Sequence, residues 1–279
     1  LVRELRARGY EIVPLPHLLG LTAADVMPPV SLPASLFKGV SVSLVTVVIG
    51  GLVALFWASV LASLARSGLY LCLSTRRDPV YPRRFGPLPG VTVVVPAFNE
   101  ERVIAATVRA VLECDYPGIR CVVVDDGSTD ATARVVEDSF GGDQRVRLLR
   151  QKNQGKWQAL NLAFQSIDTE IAVCVDADTR ISRDAITELV RPFTDRTVAA
   201  VAGTVVVGNA DRLLTRFQAI EYITAQQIGR RAQDYLNGIL VVPGALGAWR
   251  VEAVRDVGLY SAETLTEDAD LTIWLRRGG

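Results

Sequence analysis

Acidic side chains follow the apolar segments of this chain at the points where buried strands would end. Residues 171–175 form a continuous apolar run, and Asp176 and Asp178 come directly after it. Such a run is typical of a strand buried on both faces, and ligands of open α/β sheets bind beyond the carboxyl ends of the strands. Two carboxylates in this position favour Mg²⁺ or Mn²⁺, with substrate phosphates completing the coordination. The alternative is a turn in which the aspartates only cap the next helix.

Two other predicted strands end in carboxylates as well. Glu100 follows the apolar run at 91–95, and Asp125 and Asp126 follow the apolar run at 121–124. Because parallel strands end at the same edge of a sheet, we expect these side chains to lie close to the first pair. Acceptors of this kind suit a uracil N–H, ribose hydroxyls and a diphosphate bridged by a metal.

Strands and helices alternate along the second half of the chain. The pattern predicts strands at 91–95, 121–124, 146–149, 171–175 and 199–207, with helices at 101–113, 130–139, 156–166 and 184–191. Alternation of this kind predicts an α/β fold with a doubly wound, mostly parallel sheet. No G-x-G-x-x-G or G-x-x-x-x-G-K-[ST] motif occurs, which argues against a dinucleotide-binding Rossmann domain and a P-loop NTPase.

The 26 residues at 40–65 carry no charge and predict a transmembrane helix, because about 20 apolar residues span a bilayer. The alternative is a buried helix of a soluble core. Residues 76–90 read as a linker because they are rich in proline and glycine. More arginines follow the apolar stretch than precede it, so the positive-inside rule places residues 91–279 in the cytoplasm and the N-terminus outside the plasma membrane.

The composition limits the classes of partner. Of the 279 residues, 49% are hydrophobic and the mean hydropathy is +0.27, which favours membrane contact. The 30 basic residues balance 30 acidic ones, so the net charge gives no reason to expect a nucleic-acid partner. The four cysteines have no paired spacing and are expected to be reduced thiols of a cytoplasmic domain.

Six motifs occur in a fixed order: VPAFNE, VDDGSTD, QKNQGKWQALNLA, DADTR, GALGAWR and TLTEDADLT. In this order and spacing they resemble the family-2 glycosyltransferases of the nucleotide-diphospho-sugar (GT-A) fold. The likeness is greatest to the membrane-bound poly-N-acetylglucosamine synthases, with chitin and hyaluronan synthases as relatives. It implies a UDP-sugar donor, a polysaccharide acceptor and Mg²⁺ or Mn²⁺. The family's Gln-x-x-Arg-Trp motif would lie beyond Gly279, so we expect the catalytic domain to be truncated at its C-terminus.

The resemblance also implies roles for individual residues. Asp268 would be the catalytic base and Asp178 the metal ligand. Lys156 opens a predicted helix, where its ammonium could neutralise the diphosphate or simply be solvated. Trp249 could stack on a sugar or belong to the core. The donor-binding set is Ala97, Glu100, Asp125, Asp126, Lys156 and Asp176, and the acceptor-binding set is Gly244, Ala245, Trp249 and Glu267.

Residues 1–29 have a pattern of their own, with a short helix, Gly9, a strand pattern at 10–15 and a Leu-Leu-Gly sequence. This order resembles the last elements of a polysaccharide deacetylase domain. The resemblance implies a remnant of an extracytoplasmic domain that would remove acetyl groups from the emerging polymer. Such a fusion favours an N-acetylated sugar as the donor.

Together these patterns predict an inverting glycosyltransferase that moves N-acetylglucosamine from UDP to a growing β-linked polysaccharide at the membrane. One alternative is a sugar transferase with a lipid-phosphate acceptor of the dolichol-phosphate type. A more remote alternative is a non-catalytic membrane scaffold. The complete set of carboxylates argues against the scaffold, because buried unpaired acids are costly to maintain without a use.

Overall fold

The computed structural model describes residues 2–27, 31–76, 88–208, 211–264 and 266–278. It divides the chain into two compact units, Leu1–Ser67 and Gly68–Gly279. Most of the predicted linker at 76–90 falls on residues 77–87, which lie outside the described residues.

The first unit begins with three short helices: α1 (Val2–Ala7), α2 (Leu15–Leu18) and α3 (Ala23–Val26). Helix α1 ends shortly before Gly9, which has a φ of +84° that favours glycine. The strand predicted at 10–15 does not form, because an extended segment needs a neighbouring strand to pair its backbone groups. The deacetylase resemblance of this region stays a prediction.

A single long helix follows, α4 (Leu32–Ser74). Its 43 residues correspond to about 65 Å at 1.5 Å per residue, and it extends beyond the predicted 40–65 at both ends. The stretch Val40–Ser74 is long and apolar enough to cross a membrane, judged by length and composition. Its large apolar side chains, such as Leu52, Phe56 and Trp57, are exposed.

The second unit is built on a six-stranded sheet. Its strands lie in the order β3, β2, β1, β4, β6, β5. The first four in the chain pair in parallel, whereas β6 runs antiparallel to both β4 and β5. The predicted α/β fold with a mostly parallel sheet is therefore confirmed. The strands are β1 (Val91–Ala97), β2 (Arg120–Asp126), β3 (Val146–Gln151), β4 (Ile171–Val175), β5 (Ala200–Ala202) and β6 (Leu246–Arg250).

Helices cover both faces of this sheet. Because successive strand side chains point to opposite faces, Val93 and Val173 belong to one core and Val94 and Cys174 to the other. The first core is closed by α5 (Ile104–Leu112), α6 (Thr132–Phe140) and α8 (Ala185–Val190). The second is closed by α7 (Lys156–Ser166), α11 (Val251–Asp256) and α12 (Glu267–Gly278). Two helical segments remain among the described residues. One is a 3-10 helix (Arg191–Thr194), and the other consists of α9 (Leu213–Tyr222), a π-helix (Ile223–Gly229) and α10 (Arg230–Tyr235).

Two strand predictions need correction. The strand predicted at 199–207 is only three residues long, because Ala200–Ala202 is the part that pairs with β6. No strand was predicted at 246–250. The structure has β6 there, as an inner strand paired on both sides, and its Ala248 and Trp249 are fully buried.

Candidate active site

A cavity of about 290 Å³ lies at the carboxyl ends of β1, β2 and β4. Its lining brings together most of the predicted donor and metal residues, from motifs that are far apart in the sequence. Those residues are Ala97, Glu100, Asp126, Lys156, Asp176 and Asp178.

The turn that carries Asp176 and Asp178 is fixed by neighbouring elements. The Thr107 hydroxyl of α5 donates to the Ala177 carbonyl at 2.6 Å. The Asp176 N–H lies 3.4 Å from the carbonyl of Ala245, just before β6. Ala177 is buried, and the flanking carboxylates line the cavity. The turn is therefore held by α5 on one side and by the approach to β6 on the other.

Glu100 and Asp178 place negative charge at one end of the cavity. Burial raises the pKa of Glu100, and the negative charges of Asp178, Asp130 and Asp176 raise it further. No group of three or more His, Cys, Asp or Glu side chains suited to a metal ion occurs in the described part of the chain. One or two carboxylates still fit Mg²⁺ or Mn²⁺, because substrate phosphates and water supply the other ligands of such sites.

Asp126 anchors the loop that leads into α7. Its Oδ1 accepts hydrogen bonds from the Gln151 side chain at 2.6 Å and from the Gln154 N–H at 2.9 Å. Its Oδ2 accepts from the Gly155 N–H at 2.9 Å. Gly155 has a φ of +96° and immediately precedes Lys156, the first residue of α7. The buried carboxylate therefore fixes where the lysine begins its helix.

Lys156 forms an ion pair with Asp176, with an Nζ to Oδ1 distance of 2.6 Å. Gly244 lies against the same lysine and against Asp268. A methyl group on Gly244 would overlap Asp268 Oδ2 and would lie 2.8 Å from Lys156 Nζ. A side chain at position 244 would therefore force the Asp268 and Lys156 side chains to move.

Asp268 is a partly buried carboxyl group at the start of α12. Burial raises its pKa to about 6, while the positive charge of Lys156 and a hydrogen bond from the Gly244 N–H act in the opposite direction. Its Oδ1 is buried and has no hydrogen-bond partner within the described residues. A buried carboxylate oxygen that lacks a donor is suited to receive a proton from a bound hydroxyl group.

Six of the predicted site residues lie outside the cavity lining: Asp125, Gly244, Ala245, Trp249, Glu267 and Asp268. Asp125 is buried, and its Oδ1 accepts from the Ser128 N–H at 3.1 Å in the turn after β2. Ala245 and Glu267 are half-buried and lie next to Gly244 and Asp268 in the chain. Their contacts with nucleotide or acceptor stay predictions.

The suggested stacking role of Trp249 is wrong. The indole is fully buried, and its ring centroid lies 6.3 Å from that of Tyr260 in an edge-to-face contact. It cannot stack on a sugar, because β6 directs it into the core between the sheet and α7.

Phe98 was not among the predicted site residues, but it lines the cavity with 46% of its surface exposed. Its position directly after the predicted donor residue Ala97 was the available signal.

The fold and the site together define a class of protein. A mostly parallel sheet with a carboxylate-lined cavity at its strand ends is the arrangement of the GT-A-like sugar transferases. Residues 92–258 match the Glycosyl transferase family 2 domain, which is more than half of the chain. The chain belongs to this family.

The chain is similar to the poly-beta-1,6-N-acetyl-D-glucosamine synthases of two staphylococci. It is 28% identical to the protein of Staphylococcus epidermidis over 180 residues, covering 64% of this chain and 44% of that protein. It is 29% identical to the protein of Staphylococcus aureus strain COL over 182 residues, covering 65% and 44%. The chain thus matches less than half of the length of these relatives.

A solved structure with a similar fold is the mannosyltransferase PcManGT of Pyrobaculum calidifontis, in complex with GDP-Man and Mn²⁺. The two chains are 26% identical, with a TM-score of 0.65. The similarity covers 78% of this chain and 61% of the archaeal one. This agreement extends the GT-A-like assignment beyond the sheet to most of the chain.

Proposed function

We propose that the full-length protein transfers N-acetylglucosamine from UDP to a growing β-linked polysaccharide at the membrane. One observation carries this proposal. Six predicted donor and metal residues line a single cavity, and one of them, Lys156, lies close to Asp268. The similarity to the staphylococcal synthases supports the choice of sugar and of a polymeric acceptor.

The reaction is a single displacement that inverts the anomeric carbon. Asp268 accepts the proton of the acceptor hydroxyl, and the resulting oxygen attacks C1 of the donor sugar. The bond between C1 and the diphosphate oxygen breaks, and UDP leaves with the electron pair. Asp126 keeps Lys156 close to the leaving diphosphate by holding the loop before α7.

A divalent cation belongs to this proposal. Asp178 would hold Mg²⁺ or Mn²⁺, with Glu100 and Asp176 as neighbouring carboxylates in the same cavity. The chemistry that such a cation supplies is neutralisation of the charge that develops on the departing diphosphate. The Mn²⁺ in the complex of the archaeal mannosyltransferase supports this role.

We also propose that α4 anchors the protein in the plasma membrane. Its apolar length supports this location, and the arginines after it support a cytoplasmic catalytic domain with residues 1–29 outside. The deacetylase resemblance of those outer residues supports an N-acetylated product. In this arrangement the polymer is made on one side of the membrane and deacetylated on the other.

The donor is tested with the full-length protein in membranes. Membranes are supplied with Mg²⁺ and either radiolabelled UDP-N-acetylglucosamine or UDP-glucose, and incorporation into polymer is measured. We expect much greater incorporation from UDP-N-acetylglucosamine, because a pocket that hydrogen-bonds the acetamido group leaves polar groups unpaired when glucose is bound. Equal or greater incorporation from UDP-glucose would overturn the choice of sugar.

A further inference from the structure

Lys156 lies between the two halves of the proposed reaction. Its Nζ forms the 2.6 Å ion pair with Asp176 on the donor side. A methyl group placed on Gly244 would be 2.8 Å from the same Nζ and closer still to Asp268 Oδ2. Both atoms lie within 2.8 Å of this methyl position. The Lys156 Nζ and the Asp268 Oδ2 are therefore less than about 5.6 Å apart.

The position of the lysine is imposed by the fold. Helix α7 begins at Lys156 because the N–H groups of Gln154 and Gly155 are bound by the Asp126 carboxylate. The lysine and Asp176 side chains keep only 34% and 32% of their surface exposed. Because water has limited access to this ion pair, the charge of the lysine is only partly screened from neighbouring groups.

We propose that Lys156 is a positioning residue that serves as the shared counter-charge of Asp176 and Asp268, so that it supports the base as well as the donor side of the site. The inference rests on the proposed role of Asp268 as the base. It adds a role beyond neutralising diphosphate charge. In this arrangement the donor and acceptor halves of the site depend on one ammonium group.

The other groups around Asp268 do not replace this charge. Glu267, from the same helix, and Asp176, after β4, are acidic and raise the pKa of Asp268, as does its burial. Burial raises the pKa of Cys174 to about 12 and that of Tyr260 well above its ordinary value. Both are neutral near pH 7, so Lys156 supplies the positive charge that keeps Asp268 ionised there.

The sign of the effect follows from the role of the base. Transfer needs ionised Asp268, so the rate is lost as the pH falls through the pKa of that carboxyl group. An opposite charge at this range lowers a carboxyl pKa by about one to three pH units. Removing the lysine charge should therefore move the acidic limb of the pH–rate profile to higher pH.

The experiment compares full-length wild-type protein with Lys156→Met, Lys156→Arg and Lys152→Met in membranes. It follows kcat/KM for UDP-N-acetylglucosamine against pH, because this ratio reports the pKa of the free enzyme. We expect an acidic limb near pH 6 in the wild type and a shift of about one pH unit or more to higher pH in Lys156→Met. Lys156→Arg keeps the charge and should keep the limb. Lys152 is an exposed lysine of the preceding loop, so Lys152→Met controls for general loss of charge and should not shift it.

A second readout does not need turnover. The pKa of Asp268 is about 6 in the folded protein, which exceeds its ordinary value of 3.8. Ionisation of Asp268 therefore lowers the stability of the folded protein. This loss of stability begins above pH 4 and is complete above the folded pKa. Asp268→Asn should thus raise the melting temperature increasingly over this range. In the Lys156→Met background the rise should be larger and should level off at higher pH.

The outcomes separate this inference from the function on which it rests. If Lys156→Met changes only the KM for the donor and leaves both the acidic limb and the melting profile in place, the inference is overturned while the proposed function stands. If Lys156→Met is inactive, the melting profile decides. If the wild-type protein transfers no sugar from any UDP donor, the proposed function fails, and the melting profile still tests the charge pairing.

Discussion

Asp268 combines three properties of a general base: a raised pKa, a buried free oxygen and contact with a backbone N–H. A base acts in the chemical step, so Asp268→Asn should leave UDP affinity near normal while transfer falls about 10² to 10⁴-fold. Isothermal titration with UDP and initial rates with the full-length protein measure the two quantities. A collapse of UDP affinity would instead assign Asp268 to the nucleotide site.

Asp178 is an exposed carboxylate at the cavity edge. Asp178→Asn removes a charged ligand, so transfer with saturating Mg²⁺ or Mn²⁺ should fall about a hundredfold. The melting temperature should hardly change, because the side chain is not part of the core. Asp184, the residue that precedes α8 and lies outside the cavity, provides the control as Asp184→Asn. Unchanged turnover of Asp178→Asn at saturating metal would refute the assignment.

For single residues, the sequence predicted which residue types come together in the site, but it did not predict all of their hydrogen-bond partners. Asp126 was expected to bind the nucleotide. It accepts two hydrogen bonds from the loop before α7 and one from Gln151 at the end of β3. The Asn99 side chain accepts from the Thr129 N–H, 30 residues away. Contacts between loops this far apart depend on the sheet order, which local periodicity does not contain.

Among the elements, β6 was the principal omission. Its sequence, LGAWR, is short and rich in small residues, which is weak as a strand signal. It forms a strand because β4 and β5 pair with it on both sides. Parallel strands β1, β2 and β4 were predictable because their apolar runs are typical of strands buried on both faces. The antiparallel insertion of β6 was not, because pairing direction is set by tertiary structure.

The burial of Trp249 gives a test of this element. Trp249→Ala should lower the free energy of unfolding by about 3 to 5 kcal/mol, because it leaves a large cavity in the core. Trp274→Ala, at a position with 47% of the surface exposed, should cost about 1 kcal/mol or less. Denaturant unfolding of both variants measures the difference. Lost transfer with unchanged stability in Trp249→Ala would restore the stacking role.

For the whole molecule, an uncharged apolar stretch and alternating strand and helix patterns predicted a long apolar helix and an α/β domain, and the structure contains both elements. The boundaries were less predictable. Helix α4 continues to Ser74, past the point where Arg66 ended the uncharged run, because a single charge does not end a helix. Four of the six motifs on which the family resemblance was based contribute residues to the cavity lining.

The central claim is a single displacement at C1, driven by one base and one leaving group. The sugar of a UDP donor is α-linked, so one displacement must give a β-linked product. The most direct measurement supplies the full-length protein in membranes with UDP-N-acetylglucosamine labelled with ¹³C at C1 and determines the anomeric configuration of the polymer by NMR. The account predicts β-linkages alone. Newly formed α-linkages would contradict it, because retention requires a second displacement for which the site provides no assigned nucleophile.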